Sequence, residues 1–171
     1  LISREEDARQ MTYRFLDADN IQQLLVNLLM VAVLPALGEE LVFRGILQKL
    51  FAAWARNIHF GILISAVLFS AMHVQFYGFL PRMALGILFG YLFFWSGSIW
   101  LPILGHFVNN GSAVIFYYIV GGESEIFSGN FRSMESPEIM AIFSGIMIAL
   151  CCYLVYIYET RINEPLQKGN G

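Results

Sequence analysis

The sequence predicts an all-α fold, a polytopic membrane helical bundle of about five transmembrane helices. Hydrophobic residues occupy 57% of its 171 positions and charged residues only 13%, whereas ordinary soluble domains have about 45–50% and about 25%. One soluble core of this size would not bury so much apolar surface. We therefore expect an integral, multi-pass membrane protein whose partners include membrane lipids.

Apolar stretches of nearly membrane-spanning length follow one another along the chain. The first runs from Ile21 to about Ala55, about 50 Å as a straight helix, against about 30 Å for a hydrocarbon core. We expect it to tilt, break or surface, with Pro35 and Gly38 marking the place. Four further stretches are predicted at about 60–74, 80–94, 99–120 and 138–158. Short turns separate them, except for a polar loop over 121–137.

The polar parts of the chain define three predicted regions. Residues 1–20 form a loop or surface helix before the membrane core, residues 21–158 form that core, and residues 159–171 form a polar tail. The polar opening does not have a signal-peptide layout, and we expect further spans upstream. A net charge of -3 with scattered Lys and Arg gives no basic stripe for nucleic acid.

The informative feature is a set of polar residues inside the apolar stretches. An acidic or basic residue at the centre of a membrane helix costs roughly 2.5–3.5 kcal/mol, while each large apolar residue returns about 0.3–0.6 kcal/mol. Such residues must therefore face protein or a wet cavity, and function is the default hypothesis for them. The set comprises Glu39, Glu40, Arg44, His73, His106, Asn109 and Asn110.

Spacing assigns these residues to helix faces, since residues four apart lie on one face. Glu40 and Arg44 can pair, whereas Glu39 points about 100° away around the helix and is left without a partner. His106 and Asn110 project together and can present two hydrogen-bond donors to one point. The sequence thus predicts one ion pair, one unpaired carboxylate and one pair of donors.

Register predicts which of these groups meet. If the first two helices turn back on each other near Arg56, Glu39 and His73 lie equally far from that turn and could share a water. Asn110 is expected to lie several ångströms less deep in the membrane than Glu39 and His73. Gly86 and Gly90 form a GxxxG pair that would let another helix approach closely.

Three short motifs carry a family resemblance. Glu39-Glu40-Leu-Val-Phe-Arg44 resembles EExxxR, Phe69-Ser-Ala-Met-His73 resembles FxxxH, and His106-Phe-Val-Asn-Asn110 resembles HxxxN. These motifs, in this order on successive helices, are those of the CPBP family of CAAX-processing and bacteriocin-processing intramembrane proteases, which includes abortive-infection-type membrane proteases. The resemblance is close over about residues 28–118.

The resemblance implies a fold and a mechanism. The family fold is an all-helical membrane bundle, commonly of eight spans, of which this chain looks like the last five. It implies a glutamate-dependent endopeptidase without metal or other cofactor, acting on a membrane-associated protein or peptide that can be prenylated. Residues 21–158 would be the catalytic core. Glu39 with His73 would activate water, His106 with Asn110 would hold the oxyanion, and Glu40 and Arg44 would support the site.

Three other functions are compatible with the same residues. A zinc hydrolase could use Glu39 or Glu40 with His73 and His106 as ligands, although the HExxH spacing is missing. A non-catalytic membrane scaffold or immunity-type binding protein could keep the motifs. A transporter could use a buried Glu as a proton site, but no inverted repeat is visible.

Overall fold

The computed structural model describes residues 16–76 and 78–120, which form helices and turns with no strand among them. The prediction of an all-α fold is confirmed for this part of the chain. The predicted fifth stretch, the polar loop before it and the C-terminal tail lie outside the described residues, as do residues 1–15. The helices are α1 (Ile21–Ala55), α2 (Ile58–Met72), α3 (Phe79–Ser96) and α4 (Trp100–Val120).

Two of these helices, α1 and α3, are long and apolar enough to cross a membrane, and α2 is apolar but shorter. Length and composition thus support two of the predicted spans within the described residues. The outer face of α1 is apolar and open, which is typical of a surface covered by lipid or by more protein. Its large side chains that are at least half exposed include Ile21, Leu25, Met30, Leu34, Ile46, Leu50 and Trp54.

Caps encoded in the sequence fix the ends of α1. At its start, the Asn20 side chain accepts a hydrogen bond from the Gln23 N–H at 3.0 Å, as asparagine commonly does at an N-cap. At its end, Arg56 adopts a left-handed conformation with φ of 52°. Asn57 then caps α2 by accepting from the His59 N–H at 2.9 Å. The chain therefore reverses within two residues, at the turn predicted near Arg56.

Of the three outcomes expected for this stretch, which were tilting, breaking and surfacing, a break at Pro35 and Gly38 does not occur, and α1 continues through both residues. Instead, the helix widens into π-helical turns at Leu28–Val33 and Leu41–Gln48. A proline ring clashes with the carbonyl four residues before it in a regular α-helix. The wider turn just before Pro35 gives this ring room, so the helix persists where the sequence alone suggested an interruption.

The four helices pack so that α3 lies between α2 and α4, while α1 contacts α4 through its first half and α2 through its second. The GxxxG pair lies where α2 and α3 meet. A Cβ on Gly86 would lie 3.0 Å from the Ala66 Cβ, and one on Gly90 would lie 2.8 Å from the Ile62 Cγ2. The predicted close approach at these glycines is confirmed.

One face of α1 carries polar side chains that fix it against α3. Glu40, Arg44 and Gln48 follow one another at four-residue spacing, and each is at most 1% exposed. Arg44 Nη2 donates to the Gly86 carbonyl at 3.0 Å, and Gln48 Nε2 donates to the Gly90 carbonyl at 3.1 Å. The donors on α1 and the acceptors on α3 are thus both four residues apart. The register of α1 on α3 is thereby set, with Glu40 one turn before these contacts.

Candidate active site

Glu40 is the centre of a buried polar cluster. Its side chain is 0% exposed, and its Oε1 accepts hydrogen bonds from Arg44 Nη1 at 2.9 Å and from His106 Nδ1 at 2.8 Å. The pairing with Arg44 confirms the prediction from spacing, whereas the contact with His106 joins α1 to α4 and was not predicted. A carboxylate this deeply buried needs such partners, since an unpaired buried charge is costly.

Arg44 is enclosed by aromatic rings and hydrogen-bond acceptors. Its guanidinium carbon lies 4.8 Å from the centroid of the Phe69 ring and 5.5 Å from that of Phe89. Its Nη1 donates to Glu40 and its Nη2 to the Gly86 carbonyl. The ring faces attract the cation, and the cation neutralises the adjacent carboxylate. Arg44 therefore balances the charge of Glu40 and ties α1 to α3.

His106 is held in one orientation by two rings and one carboxylate. Its imidazole stacks on Phe89 at a centroid distance of 5.6 Å and an interplanar angle of 18°, and meets Phe69 edge-on at 5.8 Å. Its Nδ1 donates to Glu40. With Glu40 ionised, Nδ1 carries the proton of the neutral imidazole and Nε2 carries the lone pair. The chemistry available to His106 therefore lies at Nε2.

Two other predicted residues surround the Nε2 atom of His106. Asn110 Nδ2 lies 3.1 Å from it and donates to the neutral ring, and Glu39 Oε2 lies 3.9 Å from it. His106 and Asn110 thus converge as their spacing predicts, but in this state Asn110 donates to the imidazole. Nε2 becomes a donor only when the imidazole gains a second proton.

Glu39 differs from Glu40 in both exposure and bonding. Its side chain is 23% exposed, whereas that of Glu40 is fully buried. The Oε2 atoms of both carboxylates have no hydrogen-bond donor among the described residues, but Glu40 Oε1 accepts from Arg44 and His106. A step of one residue rotates the side chain by about 100° around the helix, which separates the surroundings of the two carboxylates. Glu39 is consequently the carboxylate that can accept a hydrogen bond from water.

His73 ends α2 and lies against Phe69. Its Nδ1 donates to the Phe69 carbonyl at 2.9 Å, and its ring meets the Phe69 ring at a centroid distance of 5.3 Å. Because a carbonyl oxygen only accepts, Nδ1 carries the proton and Nε2 can accept one. Glu39 and His73 form no direct hydrogen bond within the described part of the chain, so the water expected between them stays a prediction.

Asn110 is anchored to the backbone of α1. Its Nδ2 donates to the Val31 carbonyl at 3.1 Å in addition to His106, and its Oδ1 accepts from Asn109 Nδ2 at 3.2 Å. Asn110 was expected to lie less deep in the membrane than the other polar groups, but in the structure it belongs to the cluster around His106. Asn109 acts on the cluster through Asn110, which agrees with its less favourable position three residues after His106.

Sequence reasoning missed several members of the surroundings, among them Gln48, the Val31 carbonyl and the Phe89 ring that stacks on His106. Gln48 is a buried polar residue whose signal was available, because it continues the four-residue spacing of Glu40 and Arg44 by one more turn. The Val31 carbonyl is a backbone group, and its side chain gives no sign of its role.

Metal ligation has little support in the described geometry. Among residues 16–76 and 78–120, no group of three or more His, Cys, Asp and Glu side chains is arranged to hold a metal ion. Both ring nitrogens of His106 lie within hydrogen-bonding distance of protein groups. A zinc ion on His106 would have to displace Glu40 or Asn110 from the imidazole.

A family comparison covers the helices that carry this cluster. The model described as "Type II CAAX prenyl endopeptidase Rce1-like" matches residues 21–112, more than half of the chain. The chain belongs to this Rce1-like family. The matched range includes every predicted site residue, namely Glu39, Glu40, Arg44, His73, His106 and Asn110. Family membership confirms the resemblance read from the three motifs, and together with the apolar helices it identifies a membrane protein.

Bacterial proteins are among the relatives of this Rce1-like chain. "Putative membrane peptidase YdiL" of Bacillus subtilis is 31% identical over 132 residues, which are 76% of this chain and 50% of YdiL. "Uncharacterized protein YpbD" of Bacillus subtilis is 27% identical over 86 residues, 48% of this chain and 41% of YpbD. An "Uncharacterized 24.3 kDa protein" of Escherichia coli is 31% identical over 110 residues, 62% of this chain and 50% of that protein.

The chain spans about half the length of these relatives, or less. No solved structure matches it significantly.

Proposed function

We propose that this Rce1-like chain is the catalytic core of a multi-pass intramembrane endopeptidase of the glutamic type. The observation that carries the proposal is the different state of two adjacent carboxylates. Glu40 is fully buried, and its Oε1 accepts from both Arg44 and His106, whereas the Glu39 side chain is 23% exposed and its Oε2 has no hydrogen-bond donor among the described residues. Hydrolysis of an amide by water needs a base near the nucleophile and donors where negative charge develops. In this proposal Glu39 supplies the base, and Glu40 holds His106, which is one of the donors.

Glu39 and His73 are the proposed water-activating pair. As the water oxygen bonds to the scissile carbonyl carbon, one water proton passes to Glu39 and the C=O π electrons move onto the carbonyl oxygen. Collapse of the tetrahedral intermediate then breaks the C–N bond, and the proton is delivered to the departing amine. His73 can orient the water, because its Nδ1–H is engaged by the Phe69 carbonyl and its Nε2 can accept a hydrogen bond.

His106 and Asn110 are the proposed oxyanion donors. In the described state, Asn110 donates to His106 Nε2, so both groups can donate to an oxyanion only after two changes. The imidazole takes up a second proton from bulk solvent, and one Asn110 N–H turns from Nε2 towards the oxyanion. The hydrogen bond from Nδ1 to Glu40 holds the ring in place throughout and stabilises the imidazolium.

The proposed substrate is a protein or peptide located at the membrane, including one that carries a prenyl group. The family description names CAAX prenyl endopeptidases, and the open apolar face of α1 agrees with a site that works beside lipid. Membrane lipids are therefore partners in the proposal, and the described apolar helices cross the bilayer more than once. A non-catalytic scaffold that keeps the family motifs is the alternative to be separated experimentally.

The proposal is tested by comparing peptide termini in membranes that carry the full-length protein or its Glu39→Gln variant. Gln is nearly isosteric with Glu but is not a base, so at least one new terminus should be present with the wild type and absent with the variant. Gln22→Ala, a change at an exposed residue of α1, serves as the control and should keep that terminus. Identical sets of termini in the wild-type and Glu39→Gln membranes would favour the scaffold.

A further inference from the structure

Pro35 lies in the interior of α1, where its missing N–H has a specific consequence. In a regular helix, the residue at position 35 would donate to the carbonyl four residues earlier, which belongs to Val31. Proline has no N–H, so this hydrogen bond cannot form. The side-chain amide of Asn110 donates to the Val31 carbonyl instead, at 3.1 Å.

The hydrogen-bond register of the backbone changes next to Pro35. Just before it the helix is π-helical, and the Leu34 N–H donates to the Leu29 carbonyl five residues earlier. Pro35 itself lies in the α-helical run Leu34–Glu40, where a register of four pairs position 35 with Val31. On the π-helical segment Ala32 is fully buried, and a Cβ on Gly111 of α4 would lie 3.8 Å from the Ala32 Cβ. Small residues on both helices thus bring α4 near enough for the short Asn110 side chain to reach a main-chain atom.

We propose that Pro35 is a positioning residue for Asn110. By withholding an N–H from the Val31 carbonyl, it keeps that acceptor available to α4, and the resulting anchor orients the Asn110 amide towards His106 Nε2. The anchoring stands on the contacts themselves, whereas its effect on turnover rests on the proposed function. The Asn110 amide has two hydrogens, so with one on Val31 the other is directed at the reacting region.

Replacing the proline by alanine should disturb the anchor without disrupting the helix. Alanine supplies the missing N–H and is the most favourable helix former. The restored intrahelical bond draws the Val31 carbonyl along the axis of α1 and away from α4, which loosens Asn110. Pro35→Ala is therefore expected to fold. Its direct effect is to offer the Val31 carbonyl the backbone N–H of residue 35 as a second donor.

A double-mutant cycle in thermal unfolding tests the anchor on the full chain in detergent, independently of activity. Pro35→Ala should raise the melting temperature more in the Asn110→Ala background than in the wild type, because only the wild type loses an anchor. Pro81→Ala is the matched control, since Pro81 lies in the first turn of α3, where an N–H has no intrahelical acceptor. Additive effects of Pro35→Ala and Asn110→Ala, or equal coupling with Pro81→Ala, would overturn the inference.

Turnover of a farnesylated CAAX reporter peptide tests the catalytic consequence. Pro35→Ala should lower kcat by less than the hundred- to thousandfold expected for Asn110→Ala, leave the apparent KM unchanged, and cause no further loss in the Asn110→Ala background. Coupling in thermal unfolding with an unchanged kcat would support the anchor and contradict the proposed oxyanion role of Asn110. Absence of coupling in thermal unfolding would refute the role of Pro35 whatever the turnover.

Discussion

Glu40 and His106 lie 66 positions apart in the sequence and 2.8 Å apart in the structure. Their hydrogen bond joins the two helices that carry the EExxxR and HxxxN patterns, and it decides which imidazole nitrogen carries a proton. Nε2 is therefore the atom that faces Asn110 and Glu39. A second contact, from Arg44 to the same Glu40 oxygen, leaves Glu39 as the carboxylate without a buried cation of its own.

Arg44→Ala should destabilise the protein strongly. It would leave Glu40 buried without its cation, and removing one partner of a buried ion pair typically costs about 3–5 kcal/mol. Arg44→Lys keeps the charge but lacks the fork that reaches both Glu40 and the Gly86 carbonyl, so an intermediate loss is expected. Thermal unfolding in detergent measures both changes. Native melting of Arg44→Ala with lost activity would instead place Arg44 in the chemistry.

Gly86→Ala should be destabilising because α3 has no room for a Cβ there. The new methyl would meet Ala66 at 3.0 Å, and overpacking of this kind typically costs about 1–3 kcal/mol. Gly45→Ala is the matched control, since a Cβ at Gly45 meets nothing within 4 Å and alanine in a helix interior gains roughly 0.5–1 kcal/mol over glycine. Equal melting temperatures for the two variants would show that close approach at Gly86 is unimportant.

Asn110→Ala should reduce turnover while leaving substrate affinity nearly intact. Loss of one oxyanion donor typically lowers kcat by about a hundred- to a thousandfold, and a donor that acts only as charge develops should barely change the apparent KM. Asn109→Ala should have a smaller effect, because Asn109 donates to Asn110 rather than to His106. Steady-state kinetics measure kcat and KM for both variants. Equal losses of kcat in the two variants, or an Asn110→Ala defect confined to KM, would refute the role of Asn110 as an oxyanion donor.

Removal of metal should leave activity unchanged. In the described part of the chain, no three ligand-type side chains are arranged around a common point, and His106 is hydrogen-bonded through both nitrogens. Incubation with EDTA or phenanthroline, followed by elemental analysis of the purified active protein, checks this expectation. Stoichiometric zinc together with loss of activity on chelation would favour a zinc hydrolase.

Features governed by local spacing could be predicted from the sequence. The bounds of α1 agree with the apolar stretch predicted from Ile21 to about Ala55 and with the turn predicted near Arg56. The Glu40–Arg44 pair follows from four-residue spacing on one helix. These contacts depend on helical geometry alone, which is the same in every protein.

Apart from the close approach at Gly86 and Gly90, the contacts that depend on how helices pack could not be predicted. The contact between Glu40 and His106 requires α4 to lie against the first half of α1, and nothing in either motif specifies that approach. The same applies to the Gly86, Gly90 and Val31 carbonyls, because backbone acceptors leave no side-chain pattern. The persistence of α1 through Pro35 also depends on packing, since the preceding π-helical turn is stabilised where α4 contacts it.

The central claim is that the two adjacent carboxylates have separate roles, and Glu39→Gln compared with Glu40→Gln tests it most directly. Thermal unfolding in detergent and turnover of one farnesylated CAAX reporter peptide are measured on the same preparations. Glu39→Gln should melt like the wild type and show almost no turnover, because it loses only the proposed base. Glu40→Gln should melt at a lower temperature, because the common acceptor of Arg44 and His106 loses its negative charge and the Arg44 cation is left buried without a counter-ion. Wild-type turnover by Glu39→Gln, or wild-type melting of Glu40→Gln, would contradict the account.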